Sequence, residues 1–233
     1  MTNFSNFDRR GYRMTDVRSG YGGWVSTYEQ TVEDAMDIAL LDVLTTPQWE
    51  TYRDAADLGC GTGRTGDWLT RHGAGEIDGV DLTPEMLERA EARGIYRRLL
   101  EGDVAATGLE SSAYDLVTVC LVDEHLADLM PLYREAYRLA RPGGLLVLIA
   151  FHPHFIMASG MPTHYTSRTG EQVAIETHVH HLSEHVTVAL REGWTLAEMR
   201  EQFIDDAWVA LKPKWERFRG HPIAAAFVWR KPG

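Results

Sequence analysis

Apolar residues in this chain gather in short runs, separated by longer stretches in which they recur every three or four positions. The runs read as strands covered on both faces, and the stretches between them as helices lying on a sheet. Strands are expected at 51–58, 76–82, 95–101, 114–122 and 145–151, then at 195–204 and 222–230. Alternation of strand and helix through the first five predicts a parallel α/β sheet. After 76–82, Thr83 reads as an N-cap with Pro84 and Glu85 in the first turn. A helix carrying Leu126, Leu129, Leu132, Tyr133, Ala136 and Leu139 precedes the turn Arg141-Pro142-Gly143-Gly144.

Outside this frame the pattern weakens. Residues 1–25 show no clear period and read as a loop or irregular arm, followed by a helix from about Val25 to Leu44 with Ile38, Leu41 and Leu44 on its apolar stripe. Tyr21, Trp24 and Tyr28 fall at i, i+3 and i+7, one face if the stretch is helical. Residues 153–177 are too irregular for a core element, residues 185–193 read as the end of a helix, and 206–219 read as a second insertion containing Trp208 and Trp215.

A length of 233 residues suits one domain able to bury a full core. The net charge of −11 argues against nucleic acid, whose binding relies on clustered Lys and Arg. No signal-peptide core and no apolar run of membrane-spanning length is present, so neither a membrane nor export is expected and the protein reads as cytoplasmic. Cys60 and Cys120 lack a CxxC spacing and read as buried thiols.

Candidate chemistry begins at the tip of the first strand, in Asp57-Leu-Gly-Cys-Gly-Thr-Gly63. Gly59, Gly61 and Gly63 let a ligand lie against bare backbone beside the amides that open the next helix. Gly61, Gly63 and Gly66 also spell GxGxxG, the dinucleotide fingerprint, a weak signal by itself. Asp57 separates the two ligand classes, since its carboxylate repels a pyrophosphate and attracts a cationic amino-acid ligand. Asp81, 20 residues beyond Gly61 at the second strand's tip, is placed to accept hydrogen bonds from ribose hydroxyls.

The string Asp57–Gly63, together with the Leu-x-Arg-Pro-Gly-Gly turn before an apolar strand, resembles the class I S-adenosylmethionine-dependent methyltransferases. The likeness runs from about Tyr52 to Phe151 and is greatest to the small-molecule branch related to quinone-biosynthesis enzymes. It implies a Rossmann-like seven-stranded, mostly parallel sheet with an antiparallel last strand, helices on both faces and an insertion after strand five. Carried over residue by residue, it implies cofactor contacts at Asp57, Gly59, Cys60, Gly61, Gly63, Asp81, Leu82, Asp103, Val104 and Leu121. Asp103 and Val104 would hold the adenine. Tyr21, Trp24 and Tyr28 would form a lid, where aromatic faces attract a sulfonium. The implied single domain divides into an N-terminal lid (1–45), a cofactor core (51–151), an acceptor-side insertion (152–182) and a C-terminal half (183–233).

Seven of the ten histidines lie between His152 and His185. The pairs at 152/154 and 178–181 offer imidazoles, but no acid stands at a recognised metal spacing and no metal is assigned. His125, in Asp123-Glu124-His125 at the fourth strand's tip, and His152, at the fifth's, are the candidate general bases. The expected reaction is methyl transfer from S-adenosylmethionine to a small-molecule acceptor, yielding S-adenosylhomocysteine. A protein acceptor, a nicotinamide-dependent oxidoreductase and a non-catalytic S-adenosylmethionine-binding module remain open alternatives, and the oligomeric state is undetermined.

Overall fold

The structure is a computed structural model that describes residues 2–32 and 36–233. Among these residues the strands form two sheets. The larger contains β2 (Asp54–Leu58), β3 (Glu76–Asp81), β4 (Arg98–Glu101), β5 (Tyr114–Cys120), β6 (Ala140–Phe151), β9 (Thr195–Phe203) and β10 (Pro222–Arg230). Its order is β4-β3-β2-β5-β6-β10-β9, with β10 antiparallel to both neighbours and the strands from β4 to β6 parallel. The expected seven strands and the reversed last one are thus present.

Parallel neighbours require crossovers, and α4 (Arg64–Arg71), α5 (Pro84–Glu91) and α6 (Met130–Leu139) supply them. Strand order reverses between β2 and β5, which opens a crevice at their C-terminal ends. Both faces of the sheet are covered. In β10, Ala224, Ala226 and Val228 join Leu40, Leu41, Trp68 and Ile149 on one side, whereas Phe227 and Trp229 join Leu58, Tyr133 and Leu148 on the other. Continuous apolar runs are the sequence trace of that double burial.

The sheet is tied across its strands by buried charge. Asp78 on β3 accepts from Arg97, Arg98 and the Tyr114 hydroxyl. Burial would raise its pKa, but these three partners hold it well below the usual carboxylate range.

The N-terminal region differs from expectation. In place of one helix over about 25–44 there are α1 (Val17–Trp24), α2 (Tyr28–Thr31) and α3 (Met36–Val43), and residues 33–35 of the expected helix lie outside the described residues. Asp16 caps α1 by accepting from the Ser19 amide, and this N-cap signal lies inside the segment read as irregular.

The insertion after β6 is also more regular than its composition indicates. It holds α7 (Pro153–Ser159), β7 (His164–Thr166) and β8 (Gln172–Ile175). β8 pairs antiparallel with β7 and parallel with β1 (Arg13–Thr15), so a second, three-stranded sheet joins the arm to the insertion. Pairing partners some 160 residues apart leave no local signal. After it, α8 spans Leu182–Arg191, in keeping with a helix that ends in 185–193, and the second insertion forms α9 (Asp206–Leu211) and a 3-10 turn.

Candidate active site

At the crevice the glycine turn takes the shape its residues allow. Gly59, Gly61 and Gly63 all have positive φ, at 70°, 53° and 84°. A Cβ on Gly59 would collide with Val122, whereas one on Gly61 would meet nothing within 4 Å and would occupy open cavity instead. Gly59→Ala is expected to lower the melting temperature by roughly 5–10 °C, from ~2–3 kcal/mol of strain and overlap at a domain of this size. Differential scanning calorimetry checks this.

Two cavities meet here. The smaller, about 250 Å³, is lined by Gly59, Gly61, Asp81, Leu82, Asp103 and Val104, and closed by Tyr21, Tyr28, Leu121 and His125. The larger, about 500 Å³, runs from Trp24, Phe155 and Tyr165 to Trp215 and, among the described residues, contains one carboxyl group, Glu124. Tyr21, Tyr28 and Leu121 line both, so they form the wall and aperture between them. Leu121 has φ of 57°, a conformation that side chains rarely adopt, and its amide donates to the Ile149 carbonyl at 2.8 Å.

Asp81 is the hub of the smaller cavity. Its Oδ2 accepts from the Gly61 amide and its Oδ1 from the Thr83 amide, both at 2.8 Å. Burial raises its pKa against these two donors. A carboxylate has about four lone-pair sites, so room for two further donors is left. Asp103 spends Oδ1 on the Ala105 amide at 2.8 Å, which makes it a turn former as well as a cavity residue.

The aromatic cluster is interlocked. Tyr21 lies edge-on to Tyr28 and His125, Trp24 lies edge-on to Tyr28 and stacks on Tyr165 with centroids 5.9 Å apart. Trp24 lines the larger cavity but not the smaller.

Several expected contacts sit behind the cavity instead of in it. Asp57 is 1% exposed and lines neither cavity, because its carboxylate accepts from the hydroxyls of Tyr96 and Thr118, both at 2.8 Å. Burial pushes its pKa up to about 6, opposed by those hydrogen bonds. Cys60 packs beneath Gly79, and Gly63 packs on Arg93 and Tyr96 as the N-cap of α4. These three shape the turn without lining the cavities.

The histidines separate. His125 lines the smaller cavity, with Nδ1 2.7 Å from the Glu176 carbonyl and Nε2 2.9 Å from the Tyr21 hydroxyl. The carbonyl fixes the proton on Nδ1, so Nε2 accepts from Tyr21. Burial lowers its pKa. His152 is a correction. Pro153 opens α7, and His152 becomes that helix's N-cap, with Nε2 2.9 Å from Glu201 and no place in either cavity. His185 is buried 3.0 Å from the Tyr133 hydroxyl, and His180 meets the Leu126 carbonyl at 2.7 Å. Among the described residues no group of three or more His, Cys, Asp and Glu is arranged to hold a metal.

Glu124 was not singled out from sequence. It is 2% exposed, its Oε1 lies 3.5 Å from the Thr163 hydroxyl and 3.6 Å from His125 Nε2, and its Oε2 is buried without a partner. Burial and then the neighbouring Asp123 push its pKa up, to about 8. A strand-tip position is the only sequence signal it carries, and it shares that with two neighbours.

Residues 56–148 match a methyltransferase domain family model. The chain is 38% identical over 102 residues to a demethylmenaquinone methyltransferase of Thermus thermophilus, covering 42% of this chain and 46% of that protein. It is 31% identical over 132 residues to a malonyl-[acyl-carrier protein] O-methyltransferase of Salmonella typhimurium, covering 56% and 51%. The chain thus spans about half the length of these curated relatives. A crystal structure of an S-adenosylmethionine-dependent methyltransferase from Mesorhizobium loti shares the fold, with a TM-score of 0.64 at 24% identity over 83% of this chain and 96% of that one. No helix among the described residues is long and apolar enough to cross a membrane. Over residues 56–148, this chain is therefore similar to a methyltransferase domain.

Proposed function

We propose that the chain transfers a methyl group from S-adenosylmethionine to a nucleophilic atom of a small molecule seated in the larger cavity. The observation that carries this is the junction of two cavities at Tyr21, Tyr28 and Leu121, one built around a carboxylate and bare backbone, the other apolar with one buried acid. Bound in the smaller cavity, S-adenosylmethionine supplies an electrophilic methyl on a sulfonium cation.

The residues present fit that cofactor. Asp81 keeps acceptor capacity for a ribose diol, and Leu82 and Val104 offer apolar surface beside Asp103 for an adenine. At Gly61 the space a side chain would fill is open. Tyr21 and Tyr28 line the junction, and a cation beside an aromatic face gains ~1–2 kcal/mol once desolvated.

The aperture at Leu121 aligns the two ligands, and orientation of this kind supplies several kcal/mol of the barrier, with ~7–11 as an upper range. Glu124, on the acceptor side, takes the proton that a hydroxyl or ammonium acceptor must lose. Its raised pKa makes it a stronger base than an ordinary carboxylate. His125 acts through Tyr21, fixing that ring at the junction.

Titration calorimetry with S-adenosylhomocysteine and, separately, NADH tests the cofactor reading. Micromolar uptake of the first and none of the second is expected; the reverse points to an oxidoreductase and sinks the proposal. Transfer of label from methyl-labelled S-adenosylmethionine to a component of a small-molecule extract tests the reaction itself, and label appearing only in protein would shift the acceptor to a polypeptide.

A further inference from the structure

The larger cavity does not end at its apolar wall. It opens into an outer chamber of about 290 Å³ and shares Met161, His164, Lys214 and Trp215 with it. The remaining chamber wall includes Arg10 and Arg217, and among the described residues no carboxylate lines it. Three permanent cations therefore converge on one chamber in a chain whose net charge is −11.

Among the described residues none of Arg10, Lys214 and Arg217 is paired with an acid, while most other arginines are. Arg217 instead lies over the Phe218 ring, 4.6 Å from its centroid, and Lys214 lies 5.9 Å from that of Trp215. Arg10 and Lys214 both depress the proton affinity of His164 beyond what burial does, which marks them as its close neighbours. Like charges held together in this way repel unless a counter-charge joins them.

A second observation points to a ligand. Trp215 lines both chambers, is 8% exposed, and its buried indole N–H has no acceptor among the described residues. A buried donor without a partner costs ~1–3 kcal/mol, a cost that an acceptor atom on a ligand removes.

We propose that the methyl acceptor is an apolar, ring-sized molecule bearing an anionic group, held by Arg10, Lys214 and Arg217 in the outer chamber. This rests on the methyl-transfer reading and names its substrate class. The anion at the outer end fixes which way round the molecule lies, so that its opposite end faces Glu124 and the aperture at Leu121. Positive potential confined to the mouth of one cavity also gathers anions that the acidic surface otherwise repels.

The test uses the full chain and two matched probes, 1-anilinonaphthalene-8-sulfonate and its uncharged counterpart N-phenyl-1-naphthylamine, followed by fluorescence. The sulfonate is expected to bind the unaltered chain about tenfold more tightly than the neutral probe. In Lys214→Glu/Arg217→Glu that preference disappears, while affinity for the neutral probe and for S-adenosylhomocysteine stays unchanged, which shows that the fold is intact. Displacement of the sulfonate by phenyl phosphate and by benzoate, run side by side, assigns the anion to phosphate or carboxylate by whichever is tighter. Equal binding of both probes to the unaltered chain, or an undiminished preference in the double variant, overturns the proposal. Loss of S-adenosylhomocysteine uptake in the unaltered chain would instead sink the methyl-transfer reading, and the probe titrations still report on the chamber.

Discussion

Asp81→Ala is expected to weaken S-adenosylhomocysteine binding about a hundredfold or more. Two hydrogen bonds from ribose hydroxyls to a carboxylate contribute ~1.5–3 kcal/mol each, and each 1.4 kcal/mol is about a factor of ten. The alanine variant also strips the Gly61 and Thr83 amides of their acceptor, so the ligand-free protein should melt lower as well. Asp81→Asn separates the two effects. Its single amide oxygen can satisfy one of those amides, so its melting temperature should fall less while its affinity still drops by at least tenfold. Because burial raises the pKa of Asp81, affinity in the unaltered protein should also weaken as pH falls through that value. Calorimetric titration of the three proteins decides the matter, and alanine binding within threefold of the original would remove Asp81 from the site.

Glu124→Gln should lower kcat by about 10²–10⁴ with an acceptor that must lose a proton, and change KM little. In the unaltered enzyme the rate should rise with pH towards about 8 as the carboxyl ionises, and the glutamine variant should lack that limb. Stability gives a readout independent of turnover. A carboxyl whose folded pKa lies above its unfolded value holds its proton more tightly when folded. Its contribution is fully present below the unfolded pKa and is lost as pH rises through the folded one, at ~1.4 kcal/mol per pH unit. Glutamine mimics the protonated form, so the variant should melt like the original near pH 5 and several degrees higher near pH 9. A melting curve of the same pH slope in both proteins would show that Glu124 is not the buried acid described here.

The strand positions and the glycine turn were legible because their signals are local. Continuous apolar runs mark strands covered twice, and 222–230 was delimited to the residue by that rule. The position of Asp81 was legible for the same reason, since the tip of the second strand is fixed by the glycine turn and by the Thr83-Pro84 helix start. Side-chain direction was not. Asp57 follows the motif yet turns to Tyr96 and Thr118, and Glu124 rather than His152 enters the larger cavity. Adjacent residues at a strand tip differ in direction by a local twist that sequence does not encode separately from the packing around it. His152 turns away from the cavities because Pro153 starts a helix that recruits the preceding side chain as its cap. The insertion was misread because its strands pair with a segment at the other end of the chain.

That long-range pairing constrains how the chain can be rebuilt. β8 lies between β7 and β1, so a graft that imports the segment around 164–175 from a relative, without the matching arm, leaves a row of unmatched amides and carbonyls along the middle strand. Such a chimaera gains a new wall for the larger cavity and a sticky border at once. The shape of that cavity and the solubility of the fold are inherited through two distant pieces of sequence that have to be exchanged as a pair.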